Sequence, residues 1–511
     1  MAAANAPVPT GPQPAGRATP HREVDAVLAR LEQRKHDWTR VPADRRAVLL
    51  RTCMHGLLDV ADEWVRVATE AKGEPPASPV AGEEWISGPM VTLRYLRLLA
   101  DALDRDGQPA AAEIRPGPAG RTVARVFPYD LFDRLLYAGL RAEVWIAPDR
   151  LPTQGRIYAD KRAGRPGPGR VGLVLGAGNV GSIVPTDALY KMFVEDQVVL
   201  VKMNPINAYL GPLLRRAFRC LVDGGFLEFV YGDAEIGGYL CRHERVEAVH
   251  LTGSDATYDT IVWGATARER AARKAAGTPL VDKPFTAELG CVSPVIVAPG
   301  RWSANEIDFQ ARHVAAMVAH NASFNCNAAK VLVLPARWTQ RGDFLDAVAR
   351  ALALTPPRRA YYPGAERRYR AFLDRYPRAV AVGARGEGVV PWTLVRDVEP
   401  TDDEYAFETE AFCGVLAEVT LDAGRTGDPA TFLDGAARFV NRALRGSLSC
   451  TVLVSDAARE VMGASLERSI AALQYGGIGV NVWAGVLFGL GVTSWGANPG
   501  HTRADIGSGV G

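Results

Sequence analysis

The first residues in this chain with the types and spacing to do chemistry form a glycine-rich turn. Gly176-Ala177-Gly178-Asn179-Val180-Gly181 follows directly on the apolar run Val171–Leu175. A strand, a G-x-G-x-x-G turn and a helix start together cradle a dinucleotide pyrophosphate, because glycines let backbone N–H groups approach the phosphate oxygens. The same fingerprint asks for an acidic residue about 20 positions on, closing the next strand and holding the ribose hydroxyls. Here that strand, Val199-Leu200-Val201-Lys202, closes on a lysine. The glycines are therefore either a tight connection or part of an arrangement other than the ordinary Rossmann fingerprint.

Thiols are the second candidate chemistry. Cys53, Cys220, Cys241, Cys291, Cys326, Cys413 and Cys450 are odd in number, scattered and never in C-x-x-C spacing, so they indicate neither a disulfide framework nor a zinc site or other metal centre. Cys326 lies in Phe324-Asn325-Cys326-Asn327-Ala328-Ala329, just before the strand-like run Val331–Leu334. Taken alone, it is one more buried, inert cysteine.

Such residues need strands and helices to hold them in place. With 511 residues, 48% of them apolar, the chain can bury more than one core. From Arg170 onward, Val171–Leu175, Gln197–Val201, Phe229–Tyr231 and Val246–Leu251 alternate with helical stretches, the pattern of βαβ units and a parallel sheet. Val292–Ala298, Val331–Leu334, Val415–Val419 and Ser449–Val454 repeat that pattern, so a second α/β domain is expected. Apolar positions at helical spacing predict two or three amphipathic helices between Arg22 and Lys72. Ahead of them, the Ala- and Pro-rich residues 1–21 are expected to be a disordered lead-in without a secretory signal. In the divergent region that follows the helices, Leu131, Leu135, Leu136, Leu140 and Val144 are spaced for one face of a packed core helix. The 59 basic and 57 acidic residues leave a net charge of only +2, which argues against nucleic acid or an anionic membrane as partner. No stretch approaches the roughly 20 apolar residues of a membrane span, and a cytoplasmic location is expected.

Read together, Asn179, Lys202, Leu251-Thr252-Gly253-Ser254, Glu288-Leu289-Gly290, Cys326 and Glu410-Ala411-Phe412 resemble the aldehyde dehydrogenase superfamily in kind, order and rough spacing. The likeness runs from the N-terminal helices to about Gly500. It implies a three-part α/β architecture: a Rossmann-like NAD(P)-binding domain over 22–285 with a divergent insert near 107–168, a catalytic domain over 286–476, and a small oligomerisation element. The segment 477–511 would be the C-terminal return, and the assembly a homodimer or homotetramer. It further implies oxidation of a small-molecule aldehyde to a carboxylic acid with NAD or NADP. Cys326 would be the nucleophile, since a thiolate adds readily to a carbonyl. Asn179, with the cysteine N–H, would stabilise the oxyanion, and Glu288 would activate the water that hydrolyses the thioester. Lys202 would reach the adenosine ribose, Gly253 and Ser254 the pyrophosphate, and Glu410 and Phe412 the nicotinamide ribose and ring, with Leu289 beside them.

The sequence departs from the family pattern at Pro205, where a glutamate is common, and at Cys291, Cys413, Tyr258 and Asp187. Glu288 weighs against an acyl-CoA-linked reaction, which commonly lacks this base. The presence of nucleophile, base and oxyanion donor weighs against a catalytically silent scaffold. The segment around Phe127, Tyr129, Phe132, Tyr137 and Trp145 is expected to buttress a subunit interface or cap the substrate entrance. Because Pro205 removes the carboxylate that would repel a 2′-phosphate, NADP should serve as at least a competent alternative to NAD. Parallel Michaelis constants check this; a preference for NAD above about a hundredfold, or about 2.7 kcal/mol, would refute it.

Overall fold

The computed structural model describes residues 18–422 and 428–510. The expected lead-in therefore lies, up to residue 17, outside the described residues, and His21 already opens the first helix. Three helices, His21–Arg40, Ala43–Leu58 and Ala61–Ala71, stand where the periodicity predicts them. Val24, Val27, Leu28 and Leu31 form the buried stripe of the first.

The divergent segment builds a small antiparallel sheet of β1 (Glu113–Pro116), β2 (Thr122–Phe127) and β3 (Ala142–Ile146). This overturns the expected core helix. Only Leu131–Leu136 is helical, Gly139 turns the chain at φ 86°, and Val144 belongs to β3. The short helix is also inverted with respect to its leucines. Its acidic residues are the anchored ones, with Asp133 buried against Arg94 at 2.6 Å and Asp130 paired with Arg97 at 2.5 Å. Leu131, Phe132, Leu135 and Leu136 consequently face outward, each 66–74% exposed.

The first large sheet contains β4 (Arg170–Leu175), β5 (Gln197–Lys202), β6 (Leu227–Val230), β7 (Ala248–Gly253) and β8 (Phe285–Leu289). The second contains β9 (Pro294–Val297), β10 (Val331–Pro335), β11 (Val380–Ala381), β12 (Thr393–Val398), β13 (Val415–Leu421), β14 (Ser449–Leu453) and β15 (Gly477–Val480). A last strand, β16 (Gly509–Val510), returns to the first sheet. The strand orders are β16-β8-β7-β4-β5-β6 and β11-β12-β13-β10-β9-β14-β15. β4 to β8 are parallel, as are β9, β10 and β12 to β15. Their near-continuous apolar runs reflect burial on both faces, and β4, β5 and β10 are buried along almost their whole length.

Two expected boundaries move. β8 pairs with β7, so the first sheet runs through Leu289 rather than ending at 285, and β15 pairs with β14, so the second sheet extends past 476 to Val480. Both are drawn in by ladder hydrogen bonds that short apolar strands cannot form alone. The C-terminal return lies antiparallel on β8, with Gly509 opposite Glu288. Gly509 sits at φ 125°, and a Cβ there would overlap the Ala287 carbonyl, so only glycine lets the return lie this close.

Candidate active site

β4 is central in the first sheet, with β5 on one side and β7 on the other. Connections diverge at its carboxyl end and leave a crevice, the usual binding position in an open parallel sheet. Asn179 occupies the turn after β4, Lys202 closes β5, Gly253 closes β7 with Ser254 beyond it, and Glu288 and Leu289 end β8. Across the crevice, the second sheet supplies Cys326 from the turn before β10.

That turn has an uncommon backbone. Asn321, Ala322 and Ser323 have φ of 53°, 52° and 69°, a left-handed run that costs L-residues about 1–2 kcal/mol each. Asn321 holds it in place. Its side-chain amide donates to the Asn179 carbonyl at 2.9 Å, the Phe324 carbonyl at 3.2 Å and Asn325 Oδ1 at 3.3 Å. Its Oδ1 accepts from Lys72 and from the Tyr361 hydroxyl, both at 2.9 Å. Lys72 is buried and paired with Glu84 at 2.6 Å. Downstream of the nucleophile, the buried ammonium of Lys330 donates to the Asn325 and Ala328 carbonyls, both at 3.2 Å. Cys326 is thus bracketed on both sides.

Of the residues singled out in the sequence, the structure brings Asn179, Glu288 and Cys326 together. The Cys326 thiol donates to Glu288 Oε1 at 3.6 Å. Asn179 Nδ2 donates one N–H to the Phe324 carbonyl at 2.9 Å and keeps a second. Phe412, in a left-handed conformation at φ 42°, packs on Phe324 at 5.7 Å between ring centres, and Arg368 donates to its carbonyl at 3.0 Å. Glu410 lies against Gly290, where a Cβ would overlap its carboxylate. The side chains of Lys202, closing β5, and of Ser254, just beyond β7, make no hydrogen bond to this cluster among the described residues, while Gly253 pairs with Leu289 in the β7–β8 ladder. Ser254 caps the helix Asp255–Trp263, accepting from the Thr257 N–H at 3.2 Å, and Asp255 pairs with Arg445 from the second-sheet region.

Burial dominates the electrostatics. It raises the Cys326 thiol well above its ordinary range, with the charges of Glu288 and Glu410 adding to it and Lys330 opposing. Glu288 is pushed up to about 7 by burial and then by the charge of Asp187. Glu410 is pushed up to about 7 by burial, against the pull of Lys330 and Arg368. Lys202 is lowered to about 8 by burial. The resting site therefore holds a neutral thiol beside a carboxyl group that titrates near neutrality.

An open cleft of about 2220 Å³ adjoins the cluster, walled by Tyr95, Tyr129, Trp145, Tyr190, Trp483 and Trp495 among others. Among the candidate residues, Glu288 alone lines it; Asp187 lines it as well. Tyr258, another departure, is fully buried and donates to the Arg503 carbonyl at 3.2 Å, anchoring the C-terminal return. The sequence reading missed Asn321, Tyr361, Lys72 and Lys330. Lys330 alone left a trace, as a charge set directly against the apolar run of β10.

Fold and site define a class: a two-sheet α/β protein with a thiol–carboxylate pair at the crevice of a dinucleotide-type sheet. Residues 175–357 match the aldehyde dehydrogenase family, a segment that contains Asn179, Lys202, Ser254, Glu288 and Cys326. No curated protein matches the chain. Among solved structures, NAD-dependent aldehyde dehydrogenase from Sinorhizobium meliloti is similar at TM-score 0.65 and 17% identity, over 98% of this chain and 86% of that one. Lactaldehyde dehydrogenase from Escherichia coli gives 0.63 and 16%, over 93% and 87%. Proline utilization A from Bradyrhizobium japonicum gives 0.65 and 19%, over 97% of this chain but 43% of that one, so this chain spans less than half of that protein. Residues 175–357 thus carry the pattern of the aldehyde dehydrogenase family, and the chain as a whole shares the fold of these solved structures.

The raised thiol generates a prediction that needs no substrate. Alkylation of Cys326 by iodoacetamide, followed on its peptide by mass spectrometry, should climb about tenfold per pH unit from pH 7 to 9 without levelling. Glu288→Gln removes a negative neighbour, so it should lower the thiol pKa and speed alkylation at pH 8. A plateau below pH 8 would contradict the assignment.

Proposed function

We propose that the protein oxidises an aldehyde to a carboxylic acid with NAD or NADP through a thioester on Cys326. The observation that carries this reading is the Cys326 thiol at 3.6 Å from Glu288, on a turn to which the Asn179 amide is also bonded. Glu288 accepts the thiol proton, and the thiolate adds to the aldehyde carbon. The free Asn179 N–H, with the Cys326 backbone N–H, stabilises the resulting oxyanion. After oxidation to the thioester, Glu288, having released the thiol proton to solvent at the open cleft, takes a proton from water, whose oxygen attacks the carbonyl and releases the acid as the Cys326 sulfur leaves as thiolate.

The residues present fit a nicotinamide dinucleotide. Glu410 Oε1 is enclosed without a hydrogen-bond partner among the described residues, and the buried Lys202 ammonium has no ion-pair partner there; both have capacity for ribose hydroxyls. Gly253 and Ser254 are exposed at a helix N-terminus, suited to a pyrophosphate, with Leu289 and Phe412 toward the ring. When bound, the cofactor supplies the oxidising equivalent, accepting two electrons and the aldehyde hydrogen.

The two catalytic steps separate by mutation. Cys326→Ala should abolish turnover in every phase while cofactor binding persists. Glu288→Gln should keep a burst of reduced cofactor wherever the thiol still ionises, followed by a steady state slower by about 10²–10⁴-fold, with an acyl adduct on the Cys326 peptide. In the unmodified enzyme, deacylation should rise about tenfold per pH unit up to about pH 7 and then level, because Glu288 acts only when ionised; the variant should lack this limb. Turnover by Cys326→Ala, or an adduct on another cysteine, would refute the assignment.

We also propose that the chain is a homodimer or homotetramer that uses the small antiparallel sheet and its outward helix, because Leu131, Phe132, Leu135 and Leu136 are large apolar side chains held outward on one short helix. Leu135→Glu with Leu136→Glu should lower the mass seen by light scattering without unfolding the protomer. An unchanged mass would count against this interface.

A further inference from the structure

Glu288 has a chemical need beyond accepting a proton. Each turnover leaves it protonated, and it must shed that proton before the next thioester is hydrolysed. A line of polar side chains begins at Thr252, its register neighbour on β7, and runs along the β7–β8 face beneath the helix Ile183–Phe193.

In the register of the first sheet, Thr252 on β7 stands opposite Glu288 on β8, and His250 stands opposite Thr286. These four share one face of the sheet, since residues two apart along a strand point the same way. The helix Ile183–Phe193 packs over that face and contributes Asp187 and Lys191, one helical turn apart. Thr252 Oγ1 donates to Asp187 Oδ2 at 2.8 Å. His250 Nε2 lies 3.3 Å from Thr252 Oγ1 and 3.4 Å from Asp187 Oδ2. His250 Nδ1 lies 2.8 Å from Thr286 Oγ1, which accepts from Lys191 Nζ at 2.9 Å. Lys191 in turn pairs with Glu195 at 2.6 Å. Asp187 and Glu288 both line the open cleft, while His250, Thr286, Lys191 and Glu195 also line a second, small pocket with Arg170 and Gln197. The imidazole therefore stands between the two spaces.

We infer that Asp187 and His250 form a relay that carries the proton of each deacylation from Glu288 to solvent. The inference rests on the proposed thioester mechanism. Water loses an O–H bond as one forms on Glu288. That bond breaks as one forms on Asp187, whose proton passes to His250 Nε2 directly or through the Thr252 hydroxyl. The imidazolium then loses a proton to solvent through the small pocket, and both carboxylates regain their charge. Lys191 and Thr286 orient the ring, and Glu195 holds Lys191. None of these residues touches the thiol.

The test compares His250→Ala and Asp187→Asn with the unmodified full chain, using an aldehyde it turns over. If the relay operates, both variants keep the burst of reduced cofactor and the Cys326 adduct, while the steady state falls at least tenfold in dilute buffer. Added imidazole should restore His250→Ala in a concentration-dependent way, a response that a merely structural role would not give. Unchanged turnover in both variants, or a loss that imidazole does not repair, overturns the relay while leaving the thioester mechanism standing. Absence of burst and adduct in the unmodified enzyme overturns the mechanism, and the relay with it.

Discussion

The arrangement at the crevice depends on one asparagine. Asn321 binds the carbonyls of Asn179 and Phe324 with its amide while its own carbonyl is held by Lys72 and Tyr361. It therefore ties the turn after β4 to the turn before β10. The two turns come from different sheets with separate cores, and apolar packing alone would not fix their relative position to the fraction of an ångström that catalysis demands. A directional network does, because every member is committed in angle as well as distance. The left-handed run Asn321–Ser323 is the conformational cost of this tie, and it survives because so many bonds over-determine it.

Charge is handled at the site by enclosure and delayed ionisation. A thiol and two carboxyls meet beside the cleft, and burial displaces all three toward their neutral forms. The buried Lys330 offsets part of the strain while holding the loop by its carbonyls. Such a site stays quiet until a ligand or an approaching carbonyl changes the local field, which protects a nucleophile that would otherwise react with any electrophile.

Much of the fold was legible in the sequence because parallel strands buried on both faces leave unbroken apolar runs, as in Val171–Leu175 and Val331–Leu334. Cys326, Glu288 and Asn179 could be singled out only through a series of motifs whose kind and order resemble a family's, since each alone is an ordinary cysteine, glutamate or turn asparagine. What escaped has a physical reason. Asn321 acts through backbone geometry that no residue type announces. The leucines of 131–136 have helical spacing, but the orientation of the helix is decided by Arg94 and Arg97, far away in the chain. β15 and β16 are too short to show a pattern and exist only because β14 and β8 offer a ladder to complete.

That last pairing bears on how the molecule is made. β8 carries Glu288, and its outer edge is covered by β16, which is synthesised only after the whole second sheet. During translation the first sheet can collapse early around its own core, yet one flank must stay an open edge with unpaired backbone groups, the kind of surface that recruits foreign strands. The half of the molecule that begins folding first is thus the last to be sealed. A ribosome that stalls late would leave a nearly native body with a sticky margin beside its catalytic base, a natural substrate for chaperones.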